Sequence, residues 1–141
     1  MKHFFDTSVL IPVFLLDHEH HERSFAAFAA ADRRSACCAA HSLAEVYATL
    51  TRLPGRHRLS GEQAVLLLEA IEERLAIVAL ESDEYLRAIR KAAVEGIVGG
   101  ALYDCLLAAC AVKARAEVVY TWNLQDFRRM GADVAKRVRT P

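Results

Sequence analysis

Short apolar runs alternate with longer amphipathic stretches along this chain. The apolar runs predict strands at 2–6, 35–39, 76–80 and 118–121, and an edge strand at 134–139. The amphipathic stretches predict helices at 8–16, 18–32, 42–53, 60–75, 82–95 and 101–115, with a turn or short helix at 123–130. Because strands alternate with helices, we predict an α/β fold whose mostly parallel central sheet is flanked by helices.

Two helical stretches carry apolar spacings that predict which side chains are buried. Phe25 and Phe28 lie three residues apart, so we expect both on the inner face of their helix. Further along, an apolar stripe that is predicted to face the core comprises Leu66, Leu67, Ile71 and Leu75. Ser60 with Gln63 has the spacing of a capping box and predicts where that helix begins.

The first apolar run ends abruptly in an acid, in the stretch His3-Phe4-Phe5-Asp6-Thr7-Ser8. We interpret it as a buried strand that ends at Asp6, with Thr7 or Ser8 capping the helix that follows. Ligands of open α/β sheets bind at the carboxyl ends of the strands. A carboxylate buried there needs a partner, because an unpaired buried charge is costly.

Two later acids stand alone in apolar helical stretches. Glu45 lies in Leu43-Ala44-Glu45-Val46-Tyr47, and Asp104 lies in Leu102-Tyr103-Asp104-Cys105-Leu106. A fourth polar block, Thr121-Trp122-Asn123-Leu124-Gln125-Asp126-Phe127, follows the last long helix. Each acid alone has a structural explanation, since acids also cap helices and favour their first turn. A functional site is indicated only by all the blocks together.

In order and spacing, these four blocks resemble the PIN-domain ribonucleases and, more narrowly, the VapC toxins of bacterial toxin–antitoxin pairs. The resemblance covers nearly the whole chain and implies a single PIN-like domain of three layers over residues 1–141. It implies that Asp6, Glu45 and Asp104 are the catalytic and metal-site acids of an endoribonuclease. It also implies an RNA substrate, products with a 5′-phosphate and a 3′-hydroxyl, a VapB-like antitoxin as partner, and a homodimer.

Gathered carboxylates repel one another, and a divalent cation relieves that repulsion. Mg²⁺ prefers oxygen ligands, and no Cys/His set here has zinc spacing, so we expect Mg²⁺, with Mn²⁺ as the other hard ion. PIN domains often carry Thr-x-Asp in the fourth block, where this chain has Asn123. Asn123 is therefore a neutral catalytic candidate. Asp126 either replaces it as a metal ligand or only caps the following turn. Thr7 is predicted to orient Asp6 through its hydroxyl.

The composition of the chain limits the kinds of partner that it can bind. Lys plus Arg equals Asp plus Glu at 18 each, so any contact with nucleic acid must come from local patches. Arg52, Arg56 and Arg58 form such a patch, which is predicted to contact RNA or a protein partner. The four cysteines have no disulfide or zinc spacing, and with the absence of a signal-peptide or membrane-spanning pattern they favour the cytoplasm.

Two other functions stay open from the residues. The neutral Asn123 allows an RNA- or antitoxin-binding module with weakened catalysis. Another Asp-dependent magnesium phosphohydrolase is the second alternative. A haloacid-dehalogenase phosphatase, however, requires Asp-x-Asp after its first strand, and Ser8 occupies that second position.

Overall fold

A computed structural model describes all 141 residues, Met1–Pro141. Its sheet contains β1 (His3–Phe5), β2 (Ala36–Ala39), β3 (Ala76–Val78), β4 (Val118–Tyr120) and β5 (Val138–Arg139). The strands lie in the order β3-β2-β1-β4-β5, and every neighbouring pair is parallel. The predicted α/β class is confirmed, and the sheet is entirely rather than mostly parallel.

The helices are α1 (Thr7–Val13), α2 (His21–Ala29), α3 (Ala40–Leu50), α4 (Gly61–Arg74), α5 (Ser82–Val94), α6 (Ala101–Lys113), α7 (Leu124–Arg128) and α8 (Ala132–Ala135). A single 3₁₀ turn, Gly55–His57, lies between α3 and α4. The predicted capping box is present at the start of α4, where Ser60 accepts a hydrogen bond from the Gln63 amide and Gln63 from the Ser60 amide. None of the helices combines the length and the apolar character needed to cross a bilayer.

Two hydrophobic cores cover the two faces of the sheet. Successive strand residues point to opposite faces, so Phe4 and Cys37 enter one core while Phe5 and Cys38 enter the other. Helices α1 to α4 complete the Phe5 core, and α6 to α8 complete the Phe4 core, with α5 packed on α6. The resulting helix–sheet–helix arrangement confirms the predicted three layers. All four cysteines are free thiols, as expected.

The carboxyl ends of β2, β1 and β4 meet at one edge of the sheet, with β1 in the middle. Asp6 follows β1, α3 begins directly after β2, and Thr121 follows β4. Helix α6 returns the chain to the start of β4, so its first turn lies near the same edge. This topology gathers segments that are more than 100 residues apart in sequence, such as Asp6 and Thr121.

Several predicted details were wrong. Helix α2 begins at His21 rather than at residue 18, and the predicted strand at 134–139 divides into α8 and the two-residue β5. Phe25 is 50% exposed, because the buried residues of α2 are Ser24 and Phe28, four apart. Leu66 is 63% exposed, since it lies on the opposite side of α4 from the buried residues Ala64 and Ile71.

Candidate active site

Asp6 is the most enclosed acid at this edge of the sheet, with 1% of its surface exposed. Its Oδ2 accepts hydrogen bonds from the Ser8 hydroxyl at 2.6 Å, the Thr121 hydroxyl at 2.7 Å and the Ser8 amide at 3.4 Å. Asp6 is thereby the N-cap of α1, so the prediction that Thr7 or Ser8 caps this helix was wrong. All three of these hydrogen bonds use Oδ2.

The hydroxyls that hold Asp6 also fix the loop after β4. The Ser8 hydroxyl oxygen accepts a hydrogen bond from the Trp122 amide at 2.9 Å. The Thr121 hydroxyl oxygen accepts one from the Asn123 amide at 2.9 Å. The two hydroxyl oxygens are themselves 3.2 Å apart. The ends of β1 and β4 are therefore joined by one network, of which Asp6 is the charged centre.

Glu45 lies on the second turn of α3, where it is partly buried. Its Oε1 is 3.2 Å from the Thr7 hydroxyl and 3.7 Å from Nε2 of His41, one turn earlier on α3. Thr7 also donates to the Ser42 hydroxyl at 2.9 Å. The predicted contact of the Thr7 hydroxyl with Asp6 was wrong, because this side chain faces α3 and contacts Glu45.

Asp104 lies in the first turn of α6 and is partly buried. Its carboxylate has neither a hydrogen-bond donor nor a basic partner in the structure, in contrast to Asp6. The preceding residue, Tyr103, stacks on His41 with ring centroids 5.0 Å apart and an angle of 23° between the planes. This contact joins the start of α6 to the start of α3, and so places the Asp104 segment beside the Glu45 segment.

The three acids influence one another electrostatically. The pKa of Asp104 is raised to about 6, first by burial and then by the charges of Asp6, Asp126 and Glu45, in that order. Burial also raises the pKa of Glu45, against the lowering effect of His41 and the Thr7 hydroxyl. Burial raises the pKa of Asp6 despite its hydrogen bonds. The structure therefore brings the predicted acids together, and each of the three favours its protonated form more than in water.

The segment after β4 supplies two polar side chains near the acids, one neutral and one charged. Asn123 is exposed at the start of α7, and its side chain makes no capping hydrogen bond. Asp126 is also exposed, and its charge acts on Asp104. The amide and the carboxylate are both available to a ligand at the site, and their roles as catalytic group and metal ligand stay predictions.

The donor set fits a hard cation that is only partly coordinated by protein. No three histidine, cysteine, aspartate or glutamate side chains are grouped closely enough to hold a metal ion by themselves. Mg²⁺ is typically held by one or two carboxylates together with waters and substrate phosphates. The carboxylates of Asp6 and Asp104 offer such oxygen ligands, and Glu45 and Asp126 supply further negative charge.

The predicted basic patch does not lie among the acids. Arg52, Arg56 and Arg58 are exposed, beyond the end of α3, and none forms an ion pair. Arg58 donates to the Leu53 carbonyl oxygen at 3.0 Å. The seven residues from Glu45 to Arg52 correspond to about 10 Å along a helix. The structure does not place these arginines among the acids, and their contact with RNA or a partner stays a prediction.

Sequence reasoning missed the residues that hold the acids. Ser8 and Thr121 fix Asp6, while His41 and Ser42 surround the Thr7–Glu45 contact. Both hydroxyls at Asp6 stand inside the blocks that indicated the site, so the hydroxyl residue types were a usable signal. Nothing in the sequence indicated which hydroxyl meets which acid.

This fold, with acids at the carboxyl edge of a parallel sheet, is that of a PIN domain. The family model described as "PIN domain" matches residues 3–133, and the chain belongs to this family, as the motifs predicted. Ribonuclease VapC27 of Mycobacterium tuberculosis is 39% identical over 114 residues, which are 80% of this chain and 79% of that protein.

Two solved structures share the fold. VapC20 of Mycobacterium tuberculosis, described as a sarcin-ricin loop cleaving toxin, has a TM-score of 0.70 at 16% identity, with 86% of this chain and 90% of that one covered. VapBC2 from Rickettsia felis, bound to a DNA fragment from their promoter, has a TM-score of 0.66 at 17% identity, with 99% and 98% covered.

Proposed function

We propose that this protein is a metal-dependent endoribonuclease toxin of the VapC type, which hydrolyses RNA phosphodiesters. The observation that carries the proposal is the cluster of Asp6, Glu45 and Asp104, whose pKa values are all raised at one edge of the sheet. Clusters of carboxylates with raised pKa values are typical of functional sites. The 39% identity to a protein named as a ribonuclease supports RNA as the substrate.

Asp6 and Asp104 would hold Mg²⁺, or Mn²⁺, with Glu45 completing the charge of the site. Such an ion, when bound, lowers the pKa of a bound water and stabilises charge on a phosphodiester. The protein's own contribution is to fix the acids. Ser8 and Thr121 hold the Asp6 carboxylate in one orientation through their hydrogen bonds to Oδ2.

Other side chains would hold Glu45 in place and orient a water or the substrate. Thr7 and His41 hold Glu45 from two sides. Asn123, an exposed amide next to the network of Thr121, would orient a water or the substrate. Because Asn123 is neutral, Asp126 would supply the carboxylate ligand for a second metal ion.

A VapB-like antitoxin is the proposed partner. The support is the likeness to VapC proteins and a neighbouring structure named VapBC2, to which 99% of this chain is aligned. Helix α4 presents Val65 and Leu66 with 44% and 63% of their surfaces exposed, and such apolar residues suit a helical partner or a second copy of the chain. The expected homodimer, the single domain over residues 1–141 and the cytoplasmic location belong to the same proposal.

The test is cleavage of structured RNA, followed on gels with Mg²⁺, Mn²⁺ or EDTA. We expect cleavage by the wild type with either ion and none with EDTA. Asp104→Asn should lose activity by roughly 1,000-fold or more, because loss of metal-based charge stabilisation costs several kcal/mol. The circular dichroism spectrum should stay native. The matched control is Asp83→Asn, since Asp83 is an exposed aspartate of α5 that pairs only with Arg87.

Other outcomes separate the alternatives. Full activity of Asp104→Asn, in preparations free of contaminating nuclease, contradicts the proposed site. Binding of RNA without turnover indicates a binding module with weakened catalysis, which the neutral Asn123 favours. Release of phosphate from phosphomonoesters, without cleavage of RNA, indicates another magnesium phosphohydrolase.

A further inference from the structure

Tyr103 is a half-exposed aromatic residue at the rim of the acid cluster. It directly precedes Asp104, and 49% of its surface is exposed. Its ring stacks on His41, whose Nε2 is 3.7 Å from Glu45. The ring is therefore connected to two of the three acids, to Asp104 through the chain and to Glu45 through the stacked imidazole.

The stacking leaves one face of this ring open. His41 lies against one face at a centroid distance of 5.0 Å, and the planes differ by only 23°. Because His41 covers one face, the 49% of the residue that is exposed lies on its other surfaces, which include the opposite face. The Tyr103 hydroxyl makes no hydrogen bond in the structure. Neither core packing nor hydrogen bonding therefore explains why a large ring is placed here.

Trp122, on the other side of the site, is held in a different way. Its indole Nε1 donates to the buried Ser24 hydroxyl at 2.9 Å, and its amide donates to the Ser8 hydroxyl oxygen. His20 stacks on its ring at 3.7 Å and 7°, and the Arg23 guanidinium lies 5.3 Å from the ring centre. These contacts within the protein explain why Trp122 is placed here. Tyr103 is thus the ring beside the acids that keeps a face available.

We propose that the open face of Tyr103 stacks on an unstacked base of the RNA substrate, next to the phosphate bound at the acids. This inference rests on the proposed function and names a contact that the substrate makes. Exposed aromatic rings beside a backbone-binding site are a common means of holding single-stranded nucleic acid, since every base has a π-face. His41 is the positioning residue that keeps the ring plane fixed beside Asp104.

The probe is an unstructured RNA of about twelve nucleotides in which 2-aminopurine occupies each position in turn. Binding is measured by anisotropy with Ca²⁺ in place of Mg²⁺, so that a phosphate can bind at the acids while cleavage is slow, and stacking is measured by quenching of 2-aminopurine fluorescence. We expect quenching at one or two adjacent positions with the wild type. Tyr103→Phe keeps the ring and should retain the quenching and the affinity. Tyr103→Leu and Tyr103→Ala should lose the quenching and weaken binding by roughly 5- to 100-fold, the worth of one base–aromatic stack.

The matched control is Tyr85→Ala, because Tyr85 is a comparably exposed tyrosine at 38% on α5, which carries none of the site acids. It should bind like the wild type. Quenching at no position, quenching retained in Tyr103→Leu, or an equal loss in Tyr85→Ala overturns the proposal. So does a Tyr103→Ala variant that binds RNA normally but loses its antitoxin, since the ring then serves a protein interface.

These failures are distinguishable from failure of the proposed function. If the wild type does not cleave RNA under any condition, the proposed function fails, whereas quenching that depends on Tyr103 still supports the stacking contact. If the wild type cleaves RNA but Tyr103→Leu binds and quenches like the wild type, only the stacking contact fails.

Discussion

Asp6 and Asp104 belong to the same proposed site but are held in opposite ways. Asp6 lies at a strand end, almost fully buried, and accepts three hydrogen bonds from Ser8 and Thr121. Asp104 lies on a helix, partly exposed, without a single donor. We call Asp6, together with Ser8 and Thr121, the strand side of the site. We call Asp104, together with Glu45, the helix side.

The difference separates structural from electrostatic roles. On the strand side, the hydroxyl network joins β1 to β4 and caps α1, so its loss would disturb the fold as well as the site. On the helix side, burial and like charges raise the pKa of Asp104 with no hydrogen bond to compensate. Charge there costs folding stability, which suggests that it is retained for function.

The largest effect on stability is expected from Thr121→Val, which tests the strand side. The substitution keeps the shape but removes the 2.7 Å hydrogen bond to the buried Asp6 carboxylate and the acceptor of the Asn123 amide. We expect the free energy of unfolding to fall by about 2–3 kcal/mol, measured by urea denaturation. In the control Thr51→Val, a hydroxyl bonded only to the Tyr47 carbonyl is lost, and the change should be below about 1 kcal/mol. Equal losses would mean that the network has no special role.

An intermediate effect of opposite sign is expected from Asp104→Asn on the helix side. The pKa of Asp104 is raised from 3.8 to about 6, so its charge destabilises the folded protein above pH 6. The full shift corresponds to about 3 kcal/mol, which solvent screening reduces, and we expect the metal-free variant to be more stable by about 1–2 kcal/mol at neutral pH.

The pH dependence provides the check. Below the pKa that Asp104 has in the unfolded chain, this residue is protonated in both the folded and the unfolded state, so its charge has no effect on stability there. The stability gained by Asp104→Asn should therefore be absent in more acidic solution and develop between about pH 4 and 6. Thermal melting in EDTA at several pH values measures this gain in stability. Mg²⁺ should reduce the gain, because the ion stabilises the wild type, which binds it. A variant less stable than the wild type at neutral pH would assign Asp104 a structural role.

The smallest effect is expected from Asp126→Asn, which probes the helix side from a distance. Asp126 is exposed, and its charge is one of the causes that raise the pKa of Asp104. Its removal should lower the pKa of Asp104, measured by NMR titration of the carboxyl carbon, and change the free energy of unfolding by less than about 0.5 kcal/mol. The control is Asp133→Asn on α8, an acid that pairs with Lys136 and Arg137. An unmoved pKa in Asp126→Asn, or an equal shift in the control, would remove Asp126 from the site.

The sequence alone predicted the parts of the molecule that depend on local pattern. Alternating apolar and amphipathic stretches predicted the first four strands and the longer helices, because burial on a sheet face or a helix face imposes a period on the residues. Asp6, Glu45 and Asp104 were identified as lone acids in apolar surroundings, and the structure gathers them. Errors occurred where the local pattern was ambiguous, as with Phe25, for which spacing alone did not distinguish the buried from the exposed side of a short helix.

Tertiary structure alone decided how the acids are held. Thr7 and Ser8 are adjacent hydroxyl residues, yet one contacts Glu45 on α3 and the other contacts Asp6 and the loop after β4. Which hydroxyl meets which acid depends on the strand order β2-β1-β4 and on the direction in which α1 leaves the sheet. The stacking of Tyr103 on His41 likewise joins residues 62 positions apart. Local sequence carries periodicity and residue chemistry, whereas the orientation of one polar side chain toward another is set by packing between distant segments.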